Sequence, residues 1–404
     1  MSTRELLARS AITARKAAFF ENFWEGHGPF PILFAKPHLA KGKNWLSRTI
    51  AEQHADPKFL LEEALAVAEY SLQDIDDGIP VARADLGTTL FPSFLGLPVH
   101  VEEDVHPWPA EHWSLDKYAG MREVGASLDV AATISGAGDV GELPTAVAFY
   151  RNLMERIEVD SLPLPYAPDN QGIFDLSHII VGTDLFYDLS DAPDTVHAAQ
   201  ENSLALYLAG TRLFKNLAGE PRTSMLHGHG MPSGVWFPDI GARVSEDSCT
   251  LLSPDAIREF CVPYLERAAE AFGGLFLHFC GHHEDFLRMS AGENWARVIN
   301  LGNPESYDLD ELFALCGDKG TVYFGHLDPG EDEDDDRYLE RMAELAGRHG
   351  TGLILVAPPY REPDRQTTVG GVGDEQLPGF SEERCRLLCR RWHKLTSGMR
   401  FKRA

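Results

Sequence analysis

The segment Leu275-Phe276-Leu277-His278-Phe279-Cys280-Gly281-His282-His283 sets an imidazole and a thiol two residues apart. Its apolar run lies between the turn Gly273-Gly274 and Gly281 and reads as a short buried strand. Side chains alternate along a strand, so His278 and Cys280 share one face while Leu277 and Phe279 share the other. A ring nitrogen beside a thiolate is a donor set that zinc favours. An arbitrary His-x-Cys is more often a small buried thiol next to a hydrogen-bonded imidazole, so the surroundings decide.

Those surroundings are other polar residues that follow apolar runs. Lys36 and His38 come after Pro31–Ala35, Asp85 after Pro80–Ala84, and Asp247 ends the stretch from Ala242. Asn303, His326, Asp328 and Tyr360 follow the apolar segments near 296–300, 321–325 and 352–356. Any one of them could be an ordinary loop residue. Their common place just past a strand suggests one site.

The elements that must position them alternate. The second half reads strand 275–280, helix 283–290, strand 296–300, helix 309–316, strand 321–325, helix 336–348, strand 352–356 and helix 381–396. Earlier come a helical stretch from Thr3 to Trp24, a strand at 31–35, a helix at 57–72, a strand at 80–85, a less regular region over 100–118, a helix at 144–156 and a strand at 162–166. A long helix at 193–217 and short strand candidates at 225–227 and 235–237 follow. Ser253-Pro254 starts a helix, with Ser as the cap and Pro in the first turn, that runs to Phe272. Strand–helix alternation implies a parallel sheet covered by helices. No Gly-x-Gly-x-x-Gly follows the first strand. The expectation is therefore an α/β chain folded as a (β/α)8 TIM barrel, one domain over 1–404, with residues 1–28 as a helical N-terminal extension. In such a barrel the site lies at the C-terminal ends of the strands.

The chain has 404 residues and a formal net charge of -26, which speaks against nucleic-acid and anionic-membrane partners. The acidic run Glu331–Asp336 reads as a solvated loop leading into a helix, where acids favour the positive end. No apolar stretch approaches the roughly 20 residues of a membrane span. The first residues do not resemble a signal peptide, and the six cysteines show no secreted-domain spacing, so a cytoplasmic protein is expected. Cys385 and Cys389, four apart on a helix, read as core packing.

At Ser245-Glu246-Asp247-Ser248, Leu252-Ser253-Pro254 and Phe260-Cys261-Val262-Pro263-Tyr264 the chain resembles the uroporphyrinogen decarboxylase superfamily. Asp85 to Gly96 and Gly325-His326-Leu327-Asp328-Pro329 resemble further family segments in the same order. The resemblance runs from about Pro31 to the C-terminus and implies the same barrel. True decarboxylases of the family carry an arginine-rich segment after the first strand; here Phe34–Lys41 has no Arg. They also carry a His after the last strand, where this chain reads Leu355-Val356-Ala357-Pro358-Pro359-Tyr360. His278, Cys280 and Gly281 instead match the His-x-Cys-Gly of the family's zinc-dependent methyltransferases, which act with thiols and methyl-corrinoid proteins.

That branch implies a methyltransferase with His278 and Cys280 as metal ligands, Asp247, Asp85 and His326 as catalytic groups, and Lys36, His38, Asn303, Asp328 and Tyr360 around the substrate. A methyl-corrinoid would be donor or acceptor, with a small-molecule substrate, a corrinoid protein as partner, and a homodimer as an admissible assembly. The branch's further Cys after the last strand is missing, which leaves His326, Asp247, His282 or His283 to complete the coordination. A decarboxylase of a tetrapyrrole or smaller carboxylic acid, and a non-catalytic corrinoid- or tetrapyrrole-binding protein, are the alternatives.

Overall fold

The computed structural model describes residues 1–35, 48–103, 105–122, 124, 141–160, 162–229, 231, 233–292, 295–330, 333–357 and 382–403. The sequence positions Lys36, His38 and Tyr360 lie outside these residues.

Six strands form one parallel sheet: β1 (Ile32–Phe34), β8 (Ala242–Ser245), β9 (Leu275–Phe279), β10 (Ala296–Leu301), β11 (Val322–His326) and β12 (Leu353–Ala357), in the order β1-β12-β11-β10-β9-β8. Their residues are almost all buried, which is why each reads as a continuous apolar run rather than an alternating one. A second sheet, β5-β2-β7-β6, joins β2 (Ile79–Ala82) and β5 (Leu164–Pro165) in parallel. Its β6 (Met225–His227) and β7 (Ser233–Phe237) form an antiparallel hairpin, and β7 lies antiparallel to β2. The fold is thus a mixed α/β structure around parallel strands.

Polar contacts bridge the sheets at both edges. Gln171, beyond β5, pairs in parallel with Ser245 on β8. Asp77, before β2, donates its N–H to the Ile32 carbonyl (3.1 Å) and accepts the Ile32 N–H on Oδ2 (2.9 Å).

Packing identifies which strand face points where. Phe279 packs against Phe286 of the helix Glu284–Gly292, so odd positions of β9 face the helices. Phe276, on the even side, meets Phe324 of β11 and His227 and Phe237 of the β6–β7 hairpin. The hairpin therefore lays its side chains against the same face that carries His278.

Several local expectations change. The stretch 253–272 is two helices, Pro254–Phe260 and Val262–Phe272, broken at Cys261. Pro263 has no N–H to continue the ladder, and its ring crowds the carbonyl four residues back. The region near 100 forms the hairpin β3 (Val99–Glu102) and β4 (Val105–Pro109), followed by a short helix, Leu115–Ala119. Helices Ile173–Val181 and Asp184–Asp191 stand where no element was expected. The first of them begins at Gly172, which has no capping side chain. Its free N–H groups are met by Glu246, one residue past β8, which accepts from Ile173 (2.7 Å), Phe174 (3.3 Å) and Asp175 (3.1 Å). A cap supplied from more than seventy residues away leaves no local signal. Among the described residues, no helix is long and apolar enough to cross a membrane.

Candidate metal centre

Strand register brings the site together. On β9, His278 is flanked by Ser245 of β8 and Asn300 of β10. Asp247 lies two residues beyond β8, and Cys280 lies one beyond β9. Ligand atoms of Asp247, His278 and Cys280 all fall within 4.8 Å of one another. His278 Nε2 is 3.4 Å from Cys280 Sγ and 3.8 Å from Asp247 Oδ1.

A hydrogen-bond chain assigns the His278 tautomer. Asn300 Nδ2 donates to the Phe324 carbonyl (2.7 Å), so Asn300 Oδ1 faces His278 Nδ1 at 2.5 Å and must accept its proton. Nε2 then carries the lone pair, aimed at Cys280 and Asp247. This is the outer-shell device that orients metal-binding imidazoles. Burial, and next the Arg243 charge, hold the His278 imidazole down to about 4, so it is neutral at physiological pH. Partial desolvation of its sulfur and the Asp247 carboxylate push the Cys280 thiol up to about 11. A cation between them would reverse that repulsion.

The turn after β9 is held just as closely. Asp247 Oδ1 accepts the Cys280 N–H (2.6 Å), and Asn303 Oδ1 accepts the Gly281 N–H (2.9 Å). Gly281 has φ of +87°, a left-handed conformation that glycine adopts without strain. A Cβ on Gly302 would lie 2.5 Å from Cys280 Sγ, so only glycine leaves the thiol its room. Behind Asp247, the Asp175 carboxylate accepts the N–H groups of Asp247 (2.9 Å) and Ser248 (2.8 Å). Burial and the neighbouring Asp247 charge raise Asp175 to about 7.

Buried charge surrounds the inner side. The His229 ring centroid is 4.2 Å from that of His278, and Arg243 reaches His229 Nδ1 at 3.4 Å. Arg243 also donates to the Asn170 carbonyl (2.8 Å) and the Ser245 hydroxyl (2.7 Å). Asp169 pairs with Arg83 (2.5 Å) and lies 3.4 Å from His227 Nδ1. The arginine charges hold Asp169 well below the usual carboxylate range despite its burial.

The other expected residues are dispersed. His326 ends β11 on the side of Phe324; it is not among the clustered ligand atoms. Asp85 is half exposed and paired with Arg83 at 3.1 Å. Asp328 is exposed, and its carbonyl accepts from Arg341. Asn303 holds the Gly281 turn and donates to Glu305 (2.9 Å). His282 is 3.6 Å from Glu284 and packs against the Tyr307 ring. His283 uses both nitrogens, donating to the Leu252 carbonyl and accepting the Phe286 N–H. Of the residues offered as the third ligand, Asp247 is the one beside His278 and Cys280.

Asn300, Gly302, Asp175 and His229 were not singled out from the sequence. The period of two places Asn300 on the inner face of β10, a signal that was present. Nothing local marks Gly302, Asp175 or His229. No protein-family model matches the chain, and no match is found among curated proteins.

The donors fit a zinc-type ion. One borderline nitrogen, one thiol sulfur and one carboxylate oxygen lie together, with the nitrogen's lone pair already directed inward. Cys280 is exposed, and the Asp247 side chain is 41% exposed, so a face remains open for a further ligand.

Proposed function

We propose that the chain is a zinc-dependent methyltransferase that moves a methyl group between a methyl-corrinoid or small methylated donor and a thiol, at the C-terminal ends of a closed (β/α)8 barrel. Closure is supported by a strand order that returns on itself. β1 bonds to β12, Gln171 links the β5 side to β8, and Asp77 links the start of β2 to β1. The observation that carries the function is the clamped His278, whose Nε2 lone pair faces Cys280 and Asp247 while Asn300 holds its Nδ1 proton.

Zinc in this position would lower the pKa of an incoming thiol and keep it as a nucleophilic thiolate at neutral pH. The chain's own residues prepare for that. His278 offers an unprotonated nitrogen. Asp247 spends Oδ1 on the Cys280 backbone, which fixes the thiol's origin. Asn303 and Gly281 shape the turn that leaves Cys280 at the surface.

Decarboxylation draws less support. Arg83 and Arg243, the buried cations beside the site, are already engaged by Asp85, Asp169, Asn170 and Ser245. A carboxylate substrate would have to displace those partners.

The test is zinc content and methyl transfer from methylcobalamin to a thiol, wild type beside Cys280→Ser. The expected result is loss of the catalytic zinc and of transfer with the fold intact, because serine offers a hard, poorly ionised oxygen. A buried packing cysteine would tolerate serine at a cost of about 1–3 kcal/mol and leave metal content unchanged. Wild-type protein that binds no zinc would overturn the assignment.

A further inference from the structure

A second group of metal-type donors lies at the opposite ends of the strands. Asp77 sits two residues before β2, and Cys389 and His393 are four apart on the closing helix Glu382–Thr396, so they share one face. Their ligand atoms are all within 4.8 Å of one another. His393 Nε2 is 2.9 Å from Asp77 Oδ2, Cys389 Sγ is 3.7 Å from Asp77 Oδ1, and Cys389 Sγ is 3.8 Å from His393 Nε2.

We propose that Asp77, Cys389 and His393 bind a second divalent cation of the zinc type, a structural ion that fastens the closing helix to the beginnings of β1 and β2.

The geometry comes first. A tetrahedral ion with bonds of about 2.0–2.3 Å holds its ligands roughly 3.3–3.7 Å apart. The sulfur separations, 3.7 Å to Asp77 Oδ1 and 3.8 Å to His393 Nε2, lie at and just beyond the upper end of that spacing. The sulfur–imidazole separation has to close slightly, and the His393–Asp77 hydrogen bond, at 2.9 Å, has to open by a few tenths of an ångström. The donors are fixed from outside. Asp77 Oδ2 accepts the Ile32 N–H, and the Phe19 ring lies 5.2 Å from the His393 ring.

The charge balance points the same way. Asp77 is 8% exposed, and next to it Asp76 is fully engaged, accepting from Phe34, Gly78 and Ser233. Lys16 stands close by, but its ammonium is committed to the Gly78 carbonyl and Asp74. Burial and the Asp77 and Asp76 charges push the Cys389 thiol far up, so without a cation it remains a thiol. Binding would expel the Cys389 proton to solvent and shift the His393 proton from Nε2 to Nδ1, leaving a thiolate, a carboxylate and a neutral imidazole. Together they carry two negative charges, which a divalent cation neutralises.

The consequence is a cross-link over more than 300 residues. The closing helix already accepts the Phe30 N–H on Thr396 (3.0 Å) and donates from Arg386 to the Gln73 carbonyl (2.6 Å), and the ion would add a joint to the turn that leads into β2 and holds the Ile32 N–H of β1.

The test titrates purified full-length protein, stripped with chelator, with zinc alone and with cobalt(II) alone. Bound equivalents and the thiolate-to-cobalt absorption are read together with the Tm. Cys280→Ser should retain one equivalent, with the absorption and a zinc-dependent rise in Tm. Cys389→Ser and His393→Ala should each lose one equivalent relative to wild type while methyl transfer is kept. If either of these fails to fold, the other decides. A Cys280→Ser protein that binds no metal, or whose retained equivalent survives both Cys389→Ser and His393→Ala, would overturn the second site. If loss follows only the Cys389 and His393 changes and never Cys280→Ser, the second site stands and the proposed catalytic metal fails.

Discussion

Asp247, His278 and Cys280 offer the same three donor types as Asp77, Cys389 and His393, yet the two groups are built differently. The first is assembled across two neighbouring parallel strands, with each donor at or just past a strand end. The second takes two donors from successive turns of one helix and the third from a turn. In the first, the imidazole is held through Nδ1 by Asn300, and Nε2 faces the Cys280 thiol at 3.4 Å. In the second, Nε2 is occupied by its own carboxylate partner at 2.9 Å. The first thiol is exposed and the second is partly buried. The contrast teaches that ligand identity is not enough. An outward thiol and a pre-aimed lone pair suit the proposed substrate-binding metal, while a self-satisfied triad suits the proposed structural one.

The largest expected separation between the two groups comes from the outer shell. Asn300→Ala should weaken zinc binding at His278 by roughly 10–100-fold, because the imidazole loses the partner that fixes its tautomer. Binding at Asp77, Cys389 and His393 should not change. Calorimetric zinc titration of the Cys389→Ser protein, with and without Asn300→Ala, checks the first site in isolation. Equal affinities would remove Asn300 from the site.

A smaller effect appears in acid. His278 is held at about 4, below the ordinary 6.5, so the unfolded chain takes up a proton in a range where the folded chain does not. The stability carried by neutral His278 is complete above 6.5 and is lost as pH falls toward 4. In metal-free protein, the stability difference between wild type and His278→Asn should therefore shift by roughly 2 kcal/mol between pH 7 and pH 5, to the disadvantage of wild type. Urea denaturation at the two pH values measures it. A difference independent of pH would mean that His278 is not buried neutral.

The smallest effect concerns the turn. Gly281→Ala places a Cβ at φ of +87° and should cost about 1–2 kcal/mol, with a further loss of zinc at Cys280 but none at Cys389. Thermal unfolding and zinc content of the same preparation would separate the strain from the loss of ligand.

Much of the geometry of the first group is legible in the sequence. The alternation in Leu275–Cys280 predicted that His278 and Cys280 share a face, and Phe279 does pack on a helix. Asp247 was readable as an acid at a strand end. The second site was half legible. The four-residue spacing of Cys389 and His393 is helical, but core packing was the expected role for Cys389, and Asp77 carries no mark that it will meet them. A helical period orders contacts only within one helix, and the third donor arrives from more than 300 residues away.

Composition and local pattern by themselves determined the apolar runs, the alternation of strands with helices, the Ser253 cap and the face on which each strand residue lies. These depend on backbone geometry within a few residues, so they can be read along the chain. Tertiary structure alone decided strand register, and with it that Asn300 and Ser245 flank His278. It decided that Glu246 would cap a helix starting at Gly172, and that the β6–β7 hairpin would carry His229 to the His278 ring. Those outcomes follow from burial. A desolvated donor or acceptor must find a partner wherever the packed fold supplies one, and the distance along the chain does not enter.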